Sequence, residues 1–196
     1  MTARFTPPLF AHAEAVLGQL LRFDYPADGV VSRYFREHRQ LGHADRAFVA
    51  ETVFAVLRRK RSLEARCAGQ PSPRRLLLAA LATVRGWNRR ELAPVLRAAE
   101  EAWLAACVAD AAALPPAVVC DLPDWLYESL AAQFGSESVP ALAAALNQPA
   151  PLDLRANSLK CDRGALLERL AAAGIAAAAG ALSPLAVRLR GTPALA

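Results

Sequence analysis

The stretch that most constrains this chain is Gly42–Leu57, GHADRAFVAETVFAVL, which runs directly into Arg58-Arg59-Lys60-Arg61. Val49, Val53 and Val56 recur at helical spacing with Phe54 and Leu57 beside them, so the stretch predicts a helix with one broad buried face. Asp45 and the Gly42-His43 lead-in suit its start. Leu63 carries the apolar face past the basic run, extending the expected helical stretch to about Cys67. Such a face must be covered by other helices, which predicts an all-α bundle around it. The four consecutive cations at its end are either solvated at the negative end of the helix dipole or held out to a partner.

Charge bears on that choice. The chain has 196 residues and a formal net charge of +5, unevenly spread. Residues 1–97 hold 17 Lys and Arg against 8 Asp and Glu, whereas residues 98–196 hold 6 against 10. A basic front half points to a polyanionic partner. Cys67, Cys107, Cys120 and Cys161 lie far apart and form no ligand pattern with His12, His38 and His43. A structural zinc site is therefore not expected; a reduced, cytoplasmic chain is. The first residues lack the apolar core of a signal peptide, and no apolar run free of charge and proline is long enough to cross a membrane. A monomer with no membrane partner is expected.

Along the chain, Leu9–Leu21 predicts a first helix buried through Ala13, Val16, Leu17, Leu20 and Leu21. Asp24–Gly29 is turn chemistry, with Asp28 expected to cap a helix that buries Val30, Val31, Tyr34 and Phe35. Ser72 and Pro73 open a nearly continuous apolar helix through Leu76–Val84. Asn88 with Glu91 forms a capping-box pattern for a helix carrying Leu92, Val95, Leu96, Trp103 and Leu104, with Pro94 tolerable only in its first turns. Between Ala98 and Leu154 there is not one basic residue, and the boundary between domains 1–113 and 114–196 is set at Leu114-Pro115-Pro116. Two further helices follow, from Pro123 to Gly135 and from Ser136 to Asn147, the second with Leu142 and Leu146 inward. Alternating Leu152–Ala156, a helix capped by Asp162, a weak strand from Ile175 and alternating Leu185–Arg190 give a β-α-β-β outline. The fold class is thus mainly α, with a small α/β domain whose sheet reads as incomplete.

No phosphate-cradling glycine loop or nucleophile setting is present in the sequence, so no catalytic, cofactor-binding or metal residue is assigned. Asp121 and Asp124 are expected to be helix caps. What remains is basic patterning. Arg33, Arg36 and Arg39 share a helix face, Arg46 opens the central helix, and Arg58, Arg59, Lys60 and Arg61 close it. Together they suggest a phosphate-binding surface. Trp87-Asn88-Arg89-Arg90 is a second basic spot, with Trp87 expected in the core.

Two stretches resemble a known family. Tyr34-Phe35-Arg36, Leu41–Ala47 (LGHADRA) and Val53–Arg58 (VFAVLR) resemble the NusB-type RNA-binding domain as fused to the front of bacterial 16S ribosomal RNA cytosine-C5 methyltransferases. Leu122–Leu126 (LPDWL), Phe134-Gly135 and Ala145–Leu159, with its Pro-Leu-x-Leu-Arg-x-Asn run, are similar to the small domain that precedes the catalytic domain in those enzymes. The resemblance implies S-adenosylmethionine as cofactor of the whole enzyme and two reacting cysteines in Pro-Cys and Thr-Cys settings. Neither setting occurs in this sequence, so catalysis would belong to a domain not present here. It further implies ribosomal RNA as partner, with Arg155 and Asn157 positioning the substrate. A free-standing NusB-like antitermination module, whose main partner is a ribosomal or transcription protein, fits the first stretch equally. A helical scaffold whose charge only confers solubility is the third reading.

Overall fold

A computed structural model describes residues 5–109, 114–148 and 150–191. They fold as two compact units, divided between Asn147 and Gln148. The chain is mainly α, with a small α/β part in β-α-β-β order, as the periodicities predict.

In the first unit, α1 (Pro7–Leu20) begins on Thr6, whose side chain accepts from the Leu9 amide, with two prolines in the first turn. Proline is harmless there because those amides have no intrahelical acceptor. α2 (Ala27–Glu37) buries Val30, Val31 and Tyr34, and Phe35 is half-buried. Asp28 does not cap it. Pro26 holds the N-cap position without a side-chain bond, and Asp28 lies inside the first turn, where its charge still complements the dipole.

α3 (His43–Arg58) is the predicted central helix, with Val49, Val53 and Val56 fully buried. It does not run unbroken to Cys67. Arg59 leaves helical geometry at φ −116°, ψ 21°, and α4 (Lys60–Arg66) restarts after it with Leu63 buried. Thr52 sits inside the core at 1% exposure, satisfied by donating to the Phe48 carbonyl at 2.7 Å.

α5 (Pro73–Thr83) starts on the Ser72 cap as expected, and Leu76–Leu81 are six consecutive buried residues. A helix buried on all sides is the hub of the bundle. α1, α3, α4 and α7 (Ala98–Ala109) all contact it. The Asn88–Glu91 capping box is present, but it opens only α6 (Arg89–Leu92). Pro94 follows one turn later, and α7 begins afresh beyond it, so the single predicted helix is two. Arg74 of α5 grips Glu100 of α7 through two bonds of 2.6 and 2.9 Å. Burial alone would push the Glu100 carboxyl up, yet Arg74 and the Arg97 amide hold it below its usual range.

α8 (Pro116–Val119), α9 (Asp124–Phe134) and α10 (Val139–Leu146) complete the first unit, with Gly135 ending α9 at φ +83°. The expected boundary after residue 113 adjoins residues outside the described set. The inward residues of α10 are Val139 and Ala143. Leu146, expected inside, is 68% exposed, because the buried face is the one that carries Val139 and Ala143.

In the second unit, β1 (Asp153–Arg155) and β2 (Ala177–Ala179) flank β3 (Ala186–Leu189), both antiparallel to it. α11 (Arg163–Ala172) starts on the Asp162 cap, as predicted, and packs on β2 and β3. Val187 and Leu189 are buried while Arg188 faces out, as alternation requires. Asp153 lies directly opposite Arg188 and forms a bidentate pair with it at 2.7 Å, which holds the Asp153 carboxyl below its usual range. Among the described residues no helix is long and apolar enough to cross a membrane.

Candidate nucleic-acid interface

The predicted cations fall into three groups. The first gathers where α2 ends and α3 begins. Arg33, Arg36 and Arg39 are all exposed, spaced three residues apart along the outer face of α2 and its exit. The chain reverses through Gln40–Gly42, which brings Arg46 of the first turn of α3 against them. Arg46 donates through Nε to the Leu41 carbonyl at 2.8 Å and through Nη2 to the Arg39 carbonyl at 3.4 Å. Arg39 in turn donates to the Arg36 carbonyl. One carbonyl of the last turn of α2 and two of the turn that follows thus orient two guanidinium groups without neutralising them. Arg36, Arg39 and Arg46, with Ser32 and Phe35, line an open hollow of about 530 Å³ with no acidic side chain in its wall. The Arg46 guanidinium stands 5.8 Å from the Phe35 ring centroid, which fixes its plane further.

Beneath this face lies a compact ring cluster. Tyr34 stacks on His38 at 3.9 Å, and its hydroxyl bonds His12 Nδ1 at 2.8 Å. Burial pushes the His12 imidazole down, assisted by His38 and opposed by Asp45, and burial pushes the Tyr34 phenol up. The cluster locks α1 to α2 and so supports the arginine row.

The second group is the run that closes α3, and its members are not equivalent. Arg58 is exposed and makes no ion pair among the described residues. Arg59 lies 3.6 Å from Asp121, Lys60 lies 2.7 Å from Glu64, and Arg61 lies 2.7 Å from Asp124 while also donating to the Leu122 carbonyl. Asp121 is consequently not a helix cap, whereas Asp124 opens the first turn of α9 behind Pro123, which holds the N-cap position. The Asp121 side chain is only 2% exposed and accepts from both the Ser62 amide and the Ser62 hydroxyl at 2.8 Å. It sits at φ +56°, a conformation that Asp tolerates better than most residues. The acidic segment after residue 114 thereby clamps the basic run. The sequence carries no local signal of this pairing, because the partners are about sixty residues apart.

The third group lies in the second unit. Arg155 is exposed at the end of β1, opposite Ala186, and Asn157 is exposed in the turn after it. The Asn157 side chain accepts from the Leu159 amide at 3.1 Å, and its carbonyl accepts from the amides of Lys160 and Cys161. That arrangement is an Asx turn, which spends part of the side chain's bonding capacity locally.

The thiols do not suit nucleophilic work. Cys67, Cys107 and Cys120 are buried, and burial pushes the Cys67 thiol up to about 11, with Cys107 adding to the effect. Cys107 and Cys120 are raised by burial too. A reactive cysteine needs the opposite shift. Among the described residues no three His, Cys, Asp or Glu side chains gather as a metal site. Trp87 is half-buried against Phe5 and Phe48, in the core as expected.

Residues 122–195 match the family described as Methyltr_RsmF/B-like, ferredoxin-like domain. No curated protein matches the sequence. Among solved structures, the crystal structure of PH0851 is similar, with a TM-score of 0.54 and 11% identity over 98% of this chain and 50% of that one. The likeness is one of fold, and the chain spans about half the length of PH0851. Residues 122–195 are thus similar to the ferredoxin-like domain of RsmF/B-like methyltransferases.

Proposed function

We propose that this chain recognises ribosomal RNA and positions it for an S-adenosylmethionine-dependent cytosine-C5 methyltransferase domain outside these residues. Residues 1–113 act as a NusB-like RNA-binding domain and 114–196 as the small domain before the catalytic one. The observation that carries the reading is the hollow formed by Arg36, Arg39 and Arg46, three guanidinium groups, two of them held by backbone carbonyls, without an acid in the wall. Guanidinium forks match phosphate oxygens in pairs, so such a surface fits an RNA backbone. The family match at 122–195 makes ribosomal RNA the polyanion of choice. Arg33 extends the row, and Arg155 contributes from the second unit. Arg58 adds a free cation, whereas Arg59, Lys60 and Arg61 serve mainly to hold the fold.

No residue of this chain is assigned to the methyl donor or to the reaction. Three of its four cysteines are buried as protonated thiols, which does not fit the reacting pair of such enzymes. The test is fluorescence anisotropy with a fragment of 16S ribosomal RNA across a salt series. The logarithm of the binding constant is expected to fall linearly with the logarithm of salt, at about −0.7 per phosphate contacted on a single strand. Binding that ignores salt, or capture of a transcription protein with no RNA affinity, would return the chain to the antitermination or scaffold readings.

A further inference from the structure

The turn between α1 and α2 exposes two large aromatic rings, Phe23 at 63% and Tyr25 at 62%. Phe23 is held there at φ +56°, a left-handed conformation that a bulky residue adopts only under strain. Glycine or asparagine would complete the same turn without strain and without exposing apolar surface. The strained backbone and the exposed ring are both costs to folding, and they point to a ligand. Each ring has a cation on one side. Lys60 Nζ stands 5.8 Å from the Phe23 centroid, and the Arg33 guanidinium stands 5.0 Å from that of Tyr25. Beside these cations both rings remain mostly exposed. Arg33 is also the first of the arginine row, so the aromatic tip is continuous with the phosphate-binding face.

We infer that Phe23 and Tyr25 form a stacking platform for unpaired bases of single-stranded RNA whose phosphates run along Arg33, Arg36 and Arg39. The inference rests on the RNA reading of the arginine hollow and deepens it. Base faces stack on exposed aromatic rings regardless of sequence, and neighbouring cations strengthen the contact. Asp24, exposed between the rings, turns phosphate away from the tip and leaves it to bases. A platform of this kind requires splayed-out bases and so selects single strands over duplex.

The experiment compares Phe23→Ala, Tyr25→Ala and the conservative Phe23→Trp for binding to a fluorescein-labelled 12-nucleotide single strand and to a 12-base-pair RNA duplex, each over a salt series. Each Ala variant is expected to bind the single strand about 5- to 100-fold more weakly at every salt concentration, with the salt slope unchanged. Duplex binding is expected to stay the same, and Phe23→Trp to retain affinity with its indole fluorescence quenched by the strand. Ala variants that bind the single strand like the parent, while the chain still binds RNA salt-dependently, overturn the platform and leave the arginine reading standing. Loss of affinity with a shallower slope overturns it too, because that outcome means disturbed phosphate contacts. A parent chain that binds no RNA, or Ala variants that lose only a protein partner, overturns it as well. Because both rings are exposed, the Ala variants are expected to fold, which circular dichroism checks.

Discussion

Changing Arg36, Arg39 and Arg46 together to Ala is expected to weaken RNA binding roughly 10- to 100-fold near physiological salt and to make the salt slope shallower by about 2. Both numbers follow from losing three phosphate contacts. Counterion release scales with the number of phosphates neutralised, so the slope reports contacts directly. The variant is not expected to unfold. Arg36 and Arg39 are exposed, and Arg46 bonds only single backbone carbonyls, of Leu41 and Arg39, with no acidic partner to leave unpaired. Anisotropy gives the affinity, and a urea melt confirms the fold. An unchanged slope removes the hollow from the interface.

The second large effect is on stability. Changing Asp121 to Ala is expected to destabilise the helical unit by about 2–4 kcal/mol, because it strands the Ser62 amide and forces Ala into the left-handed region. Asp121→Asn keeps one acceptor oxygen and a residue suited to that backbone, so it should cost distinctly less. Urea denaturation of the two variants provides the comparison. The corresponding Arg59→Gln and Arg61→Gln changes each remove a half-exposed partner, and such pairs contribute only about 0.2–1 kcal/mol. If these cations are structural, their loss leaves the RNA salt slope close to the parent's. A loss of Asp121 without effect on stability would mean that the acidic segment does not clamp the run.

What was legible in the sequence is what is decided within a few residues. Ser72-Pro73, Asn88 with Glu91, and Asp162 start helices because their side chains reach amides two or three positions away. The six-residue apolar run of α5 and the alternation of β3 report burial directly. Misreadings arose where a distant partner decided the outcome. The helical stretch from Gly42 breaks at Arg59, where the next two turns are drawn to Asp121 and Asp124. Of the four adjacent cations, three pair with acids within the chain, which a run of like charge does not reveal. Arg33, Arg36 and Arg39 were read correctly as one exposed face, since helical spacing alone determines that. Their convergence with Arg46 depends on how the chain reverses at residues 38–42, which periodicity does not describe. Phe23 and Tyr25 carried a usable signal. They are aromatic residues inside turn chemistry, outside any periodic apolar face, which leaves them nothing to pack against.

RNA is proposed to be gripped at the junction of α2 and α3 rather than at the cationic end of α3. The most direct measurement is the perturbation of backbone amide and arginine Nε–H resonances when a single-stranded RNA oligonucleotide is added to the isotope-labelled chain. The account predicts that shifts within the helical unit concentrate on residues 22–46, with the Nε signals of Arg36, Arg39 and Arg46 moving and those of Arg59 and Arg61 nearly still. Shifts confined to residues 58–61 and 121–124, or spread evenly over all arginines, would contradict it.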